Sequence, residues 1–154
     1  MIQIVKISDL KVSDKSADAI ITYALGSCLG LVIYDPVVRV GGMLHAMLPK
    51  PSGTGKNLFQ YVDSGVPLLF KKCYTLGAKK ERLRIVAAGC ASLMNAATIF
   101  EIGKRNIAML EALFKKNGVR LNASMLGGHD SRTLRLDLAT GKTSVRVRGK
   151  EIEL

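Results

Sequence analysis

A mixed α/β fold follows from three features of the sequence. Short β-rich runs fill its first third and return in its last third. Two longer segments between them repeat apolar residues at helical spacing. Apolar residues make up 48% of the 154 residues, enough for a core without metal or disulfide support. Residues 1–154 are read as one domain, since the length is that of one and no linker marks a boundary.

The elements can be taken in order. Ile2–Ile7 and Ala19–Tyr23 read as strands, followed by Leu29–Tyr34 and Val40–Leu48. "LGLVIYD" and "VGGMLHAML" are apolar at alternate and intervening positions alike, as strands covered on both faces are. Pro36, in "DPVVR" between them, presets a turn, so the pair is expected to form a hairpin. That hairpin would bring Cys28, just before its first strand, beside residues late in its second. "PKPSGTGKN" carries two prolines and two glycines and reads as a surface loop. Leu58 to Leu76 has helical spacing, with Gly77 as its stop and Pro67 either kinking the helix or marking its true start. Arg84–Ala88 reads as a buried strand ending in the small-residue turn "AAGCAS". Ile102–Lys116 is the second helix, with Ile107, Leu110, Leu113 and Phe114 inward and Gly118 ending it. Val119–Met125, Thr133–Leu138 and Thr143–Arg148 are the closing strands. "ATGK" joins the last two, and "RTLRLDL" and "TSVRVRG" alternate so that each has a solvated face.

Composition narrows the function classes. No run of eighteen apolar residues is present, which argues against membrane insertion. The first residues lack the pattern of a secretory signal, so the cytoplasm is the expected location. Cys28, Cys73 and Cys90 form no C-x-x-C pair, and His45 and His129 are the only histidines, a poor basis for a metal site. The net charge of +11 favours an acidic partner. Dispersed basic residues, with four Tyr, four Phe and no Trp, favour a protein over nucleic acid. "GTGKN" fails as a phosphate loop: Lys50 stands where the first glycine belongs and Asn57 where the hydroxyl belongs.

Three residue types remain for chemistry. His129, in "LGGHDSR", reads as a solvated loop histidine or a substrate contact. His45 lies inside an apolar strand, where an ionisable side chain needs a partner; it is either a satisfied structural histidine or the base for a neighbouring nucleophile. Cys28, in "TYALGSC", is either a small buried hydrophobe or a nucleophile. The second role needs a base, some exposure and backbone N–H groups aimed at the developing oxyanion. Gly26 permits an unusual turn, Ser27 is too small to block a substrate, and the backbone at these positions is the candidate oxyanion site. Thr22, at the end of the preceding strand, could accept from the second nitrogen of His45 and fix its tautomer.

Taken together and in order, "TYALGSC", "YDPVVRVGGMLHAMLP", "AGCASL", "IGKRN" and "GGHDSRTLRLDLATGKTSVRV" resemble the CheD family of chemoreceptor glutamine deamidases over nearly the whole chain. The resemblance implies a cysteine hydrolase that converts glutamines of methyl-accepting chemotaxis receptors to glutamates without a cofactor. The family's catalytic cysteine, histidine and threonine fall on Cys28, His45 and Thr22. It also implies a single-domain α-β-β-α sandwich with mixed sheets, similar to the catalytic domains of deamidating toxins such as cytotoxic necrotizing factor. A CheC-type phosphatase is an implied partner, and a non-catalytic module regulating it is the alternative role, with another thiol acyl-transfer hydrolase a further one. The sequence departs from the family at Ala24, usually glycine, and at Cys90, inside a usual Gly-Gly-Ala. Ala24 is a mild change at ordinary backbone angles and a costly one at positive φ. Cys90 is either a tolerated small side chain or a second thiol near Cys28.

Overall fold

The computed structural model describes residues 1–53, 56–92 and 101–154. Among these residues, ten strands form two five-stranded sheets. The first sheet has the order β1 (Ile2–Ile4), β3 (Ala19–Leu25), β8 (Arg132–Asp137), β9 (Thr143–Val147) and β10 (Lys150–Glu153). The second has the order β2 (Asp9–Ser13), β5 (Val40–Ala46), β4 (Leu29–Asp35), β6 (Arg84–Gly89) and β7 (Ala123–Leu126). Both are mixed: β1 runs parallel to β3 and β6 parallel to β7, while every other pairing is antiparallel.

Every residue of β4 and β5 is buried, in keeping with their unbroken apolar runs, because the second sheet is covered twice. One face meets the first sheet through Val32, Tyr34, Met43 and Val86 against Ile20, Leu134, Leu136 and Val145. The other meets α1 (Val62–Thr75) and α2 (Ile102–Asn117) through Leu31, Ile33 and Leu44 against Val66, Leu69, Leu110 and Phe114. Two mixed sheets and two long helices give the α/β class expected of the sequence. Among the described residues, however, the layers run sheet, sheet, helices, and both helices share one outer face. The other outer face belongs to β8 and its neighbours. There Thr133, Arg135 and Asp137 alternate with buried Leu134 and Leu136, so a solvated surface needs no helical cover.

Element ends follow local chemistry. Gly77 at φ 104° and Gly118 at φ 64° close the helices, as left-handed glycines do. Pro67 lies inside α1 rather than at its start. Two strands were not legible. β2 pairs with β5 after the chain crosses between sheets near Ser8, at φ 60°. β10 returns along β9 through Arg148 and Gly149, both at positive φ, the backbone of a two-residue hairpin turn. The expected strand at Val119–Met125 is shorter and later, as β7. Thr54 and Gly55, in the expected surface loop, lie outside the described residues. No helix among the described residues is long and apolar enough to cross a membrane.

Candidate active site

The β4–β5 hairpin places Gly30 directly opposite His45. Cys28 lies two residues before Gly30, on the same face of the sheet and diagonal to His45. That face looks into the space between the sheets. A Cβ on Gly30 would meet the side chains of Leu25 at 2.7 Å and Leu134 at 2.9 Å, so a glycine here lets the first sheet approach closely. Across the space, β3 presents Thr22, which is fully buried, as is His45.

Two hydrogen bonds at Thr22 determine the state of the imidazole. Thr22 Oγ1 donates to the Val5 carbonyl at 2.7 Å and lies 2.7 Å from His45 Nδ1. A hydroxyl has a single proton. With it committed to Val5, Thr22 accepts from Nδ1–H, and the lone pair of His45 falls on Nε2. Nε2 is buried and has no hydrogen-bond partner among the described residues, so it makes no hydrogen bond to the Cys28 thiol. Burial lowers the His45 pKa to about 4, against a small opposing effect of Asp9. Near neutral pH the ring is therefore an uncharged base. Burial also raises the Cys28 thiol, so the resting pair is thiol and imidazole rather than thiolate and imidazolium.

Among the three free thiols, Cys28 is half-buried while Cys73 and Cys90 are buried. Burial pushes both Cys73 and Cys90 up to about 12; for Cys90 the neighbouring Cys28 adds to the shift and Arg132 opposes it. Only Cys28 combines a thiol with access to solvent.

The turn carrying Cys28 is held by its carbonyls. Ala91 N–H donates to Gly26 O at 2.8 Å and Cys90 N–H to Cys28 O at 2.8 Å. Between them, Asn106 Nδ2 donates to Ser27 O at 3.0 Å and also to Met47 O at 3.2 Å. The backbone N–H groups of Ser27 and Cys28 have no acceptor among the described residues. Gly89, at φ 100°, supports this packing, because a Cβ there would run into the Cys28 carbonyl. Arg132, itself buried, donates to the carbonyls of Gly89, Met125 and Gly127 and so fixes the turn behind.

The structure thus brings Thr22, Cys28, His45, Gly26 and Ser27 together, while His129 lies in a loop bonded to the Gly89–Ser92 segment that backs the Cys28 turn. His129 is exposed, its Nδ1 2.8 Å from the Ser92 carbonyl. Asn106 and Arg132 were missed by the sequence reading. Asn106 left one signal: it shares the inward stripe of α2 with Leu110 and Phe114, where a polar residue needs a partner.

Ala24 and Cys90 both adopt left-handed backbone angles, φ 56° and φ 54°, the costly case rather than the mild one. Ala24 sits in the irregularity of β3 between Thr22 and Leu25. Ala24→Gly is expected to raise the unfolding free energy by about 1 kcal/mol, strain relief outweighing the extra freedom of the unfolded chain. Urea denaturation would check this, and an unchanged midpoint would show that the turn holds Ala24 without strain.

A family profile described as "CheD chemotactic sensory transduction" matches residues 47–147, a segment beginning just after His45. The chain is 45% identical over 152 residues to a probable chemoreceptor glutamine deamidase CheD 1 of Syntrophus aciditrophicus, covering 95% of this chain and 94% of that protein. It is 42% identical over 145 residues to a probable chemoreceptor glutamine deamidase CheD of Pyrococcus abyssi, covering 90% and 89% respectively. Among solved structures, Neisseria meningitidis protein NMB0706 aligns over 82% of this chain and 63% of its own, with 10% identity and a TM-score of 0.45.

Proposed function

The chain belongs to the CheD family, and from that premise we propose that it deamidates glutamine side chains of chemoreceptors, with Cys28 as nucleophile, His45 as base and Thr22 as the group that orients His45. The observation carrying this reading is the unpartnered Nε2 of a neutral, threonine-anchored His45 on the face that Cys28 shares.

The reaction runs in two halves. His45 Nε2 takes the Cys28 proton as Sγ attacks the glutamine carboxamide carbon. The oxyanion lies against the N–H groups of Cys28 and Ser27. His45 then gives its proton to the departing nitrogen, the C–N bond breaks and ammonia leaves. Water, deprotonated by His45, adds to the thioester; the C–S bond breaks and Cys28 recovers its proton, leaving glutamate. Thr22 is neutral, so it orients the ring and stabilises the imidazolium less than a carboxylate would. Each step uses groups of this chain and water.

The net charge of +11 supports an acidic protein substrate, through attraction that salt weakens. The same reading places the protein in the cytoplasm as one domain, with receptors rather than nucleic acid as partners. Binding of a CheC-type phosphatase belongs to it as well and needs no thiol chemistry.

Intact-mass measurement of a receptor cytoplasmic fragment tests the proposal. Incubation with the protein is expected to add about one dalton per modified glutamine. Protein whose Cys28 has been alkylated with iodoacetamide, the two buried thiols being shielded, should add none. A gain that survives alkylation would overturn the role of Cys28. No gain from untreated protein that still binds the fragment would favour the regulatory module.

A further inference from the structure

We propose that Asn106 is a positioning residue for the oxyanion site, acting through the Ser27–Cys28 peptide unit. The inference rests on the acyl-transfer reading above. A trans peptide is planar, so its C=O and N–H point in opposite directions. The Ser27 carbonyl and the Cys28 N–H belong to one such unit. Asn106 draws that carbonyl toward α2, which turns the Cys28 N–H toward the opposite side, where it has no acceptor among the described residues. The neighbouring unit is set in the same way: Ala91 N–H holds Gly26 O and so aims the Ser27 N–H.

Three properties of Asn106 suit this task. It is fully buried on a helix, hence rigid. Its two acceptors, Ser27 O and Met47 O, anchor the Cys28 turn to the chain at Met47, so the carbonyl it holds keeps one orientation. Its Oδ1 is buried with no partner among the described residues. An amide placed for stability would have both ends satisfied; this one is placed for its donor. A hydrogen bond received at Ser27 O also polarises the peptide and strengthens the Cys28 N–H as a donor.

The test compares two reactions of Cys28 that differ in whether an oxyanion forms. Acylation by p-nitrophenyl acetate passes through a tetrahedral oxyanion; alkylation by iodoacetamide displaces iodide and forms none. Rates for wild type, Asn106→Ala and Asn106→Ser are measured from pH 6 to 9, with Cys28→Ala subtracted as background. Acylation is expected to fall by about tenfold or more in Asn106→Ala, with alkylation rate and its pH profile within about twofold of wild type. Asn106→Ser retains one donor and should fall between. Equal losses in both reactions would make Asn106 a purely structural residue and overturn the proposal. So would unchanged acylation, or failure of both variants to fold. Acylation without receptor deamidation in wild type would sink the deamidase reading alone, and no acylation in wild type would sink both.

Discussion

Cys28→Ala is expected to end deamidation outright, a loss of at least about 10⁴-fold, because no other accessible thiol can form the thioester. His45→Ala should lower kcat/KM by about 10³-fold, and Thr22→Val by about 10²-fold, since the valine leaves Nδ1–H without its acceptor and frees the tautomer. The ordering follows from the proposed roles, with Cys28 as nucleophile, His45 as base and Thr22 acting only through His45. pH dependence gives a sharper test. Burial lowers the His45 pKa to about 4, so the base is competent at all pH values above that. The acid limb of kcat/KM should then lie near pH 4 rather than near the ordinary imidazole value of about 6.5. The sign for stability is the same. Between pH 6.5 and 4 the unfolded chain binds a proton on this residue that the folded chain refuses, so stability falls as pH falls through that window. His45→Ala should lose that component of the slope. An acid limb near 6.5 in the wild type, measured on receptor fragments by mass, would show that the imidazole is solvated in the working enzyme.

Asp35→Ala is expected to destabilise the fold by about 3 kcal/mol, the largest stability change we anticipate. Asp35 ends β4 and is fully buried. Its carboxylate receives Arg82 Nε at 2.9 Å and Nη2 at 2.7 Å, Lys79 N–H at 2.9 Å and Val37 N–H at 2.9 Å. Burial alone would raise its pKa; Arg82 and the two backbone donors overcome that and hold it at about 2. With the folded value below the unfolded one, the stabilisation is complete above about pH 4 and is lost as pH falls toward 2. The substitution leaves two part-buried N–H groups and a guanidinium without their acceptor, at the turn that sets the β4–β5 register. Urea unfolding at pH 7 measures the loss, and a change under about 1 kcal/mol would mean that water replaces the carboxylate. Since that register aligns Cys28 with His45, a folded Asp35→Ala protein should also be slower.

Local signals carried much of the fold. Pro36 and Asp35 mark the hairpin turn, the two flanking runs read as strands buried on both faces, and Gly77 and Gly118 stop the helices where the structure stops them. Strand β2 had no such signal, because "DLKVS" is short, follows no glycine or proline turn, and is fixed by pairing with β5. β10 was hidden for a like reason: all four residues are exposed, so no buried face imposes a period on them.

The site divides along the same line. "LGSC", a histidine in an apolar strand and the hairpin between them put Cys28 and His45 forward as a candidate pair beside their structural readings, because hairpin register is a short-range property; the roles of Cys28, His45 and Thr22 came from the resemblance to the CheD family. Which proton sits on which nitrogen was decided only by the packing of the two sheets. Val5 takes the hydroxyl proton of Thr22, and Thr22 must then accept from a ring 23 residues away. The left-handed angles of Ala24 and Cys90 were likewise set by long-range neighbours. Asn106 lies 79 residues from Ser27, and its spacing in α2 announces burial but not a partner. Periodicity tells a chain which faces to bury; the groups that meet there are chosen by the docking of whole sheets and helices, which no window along the sequence contains.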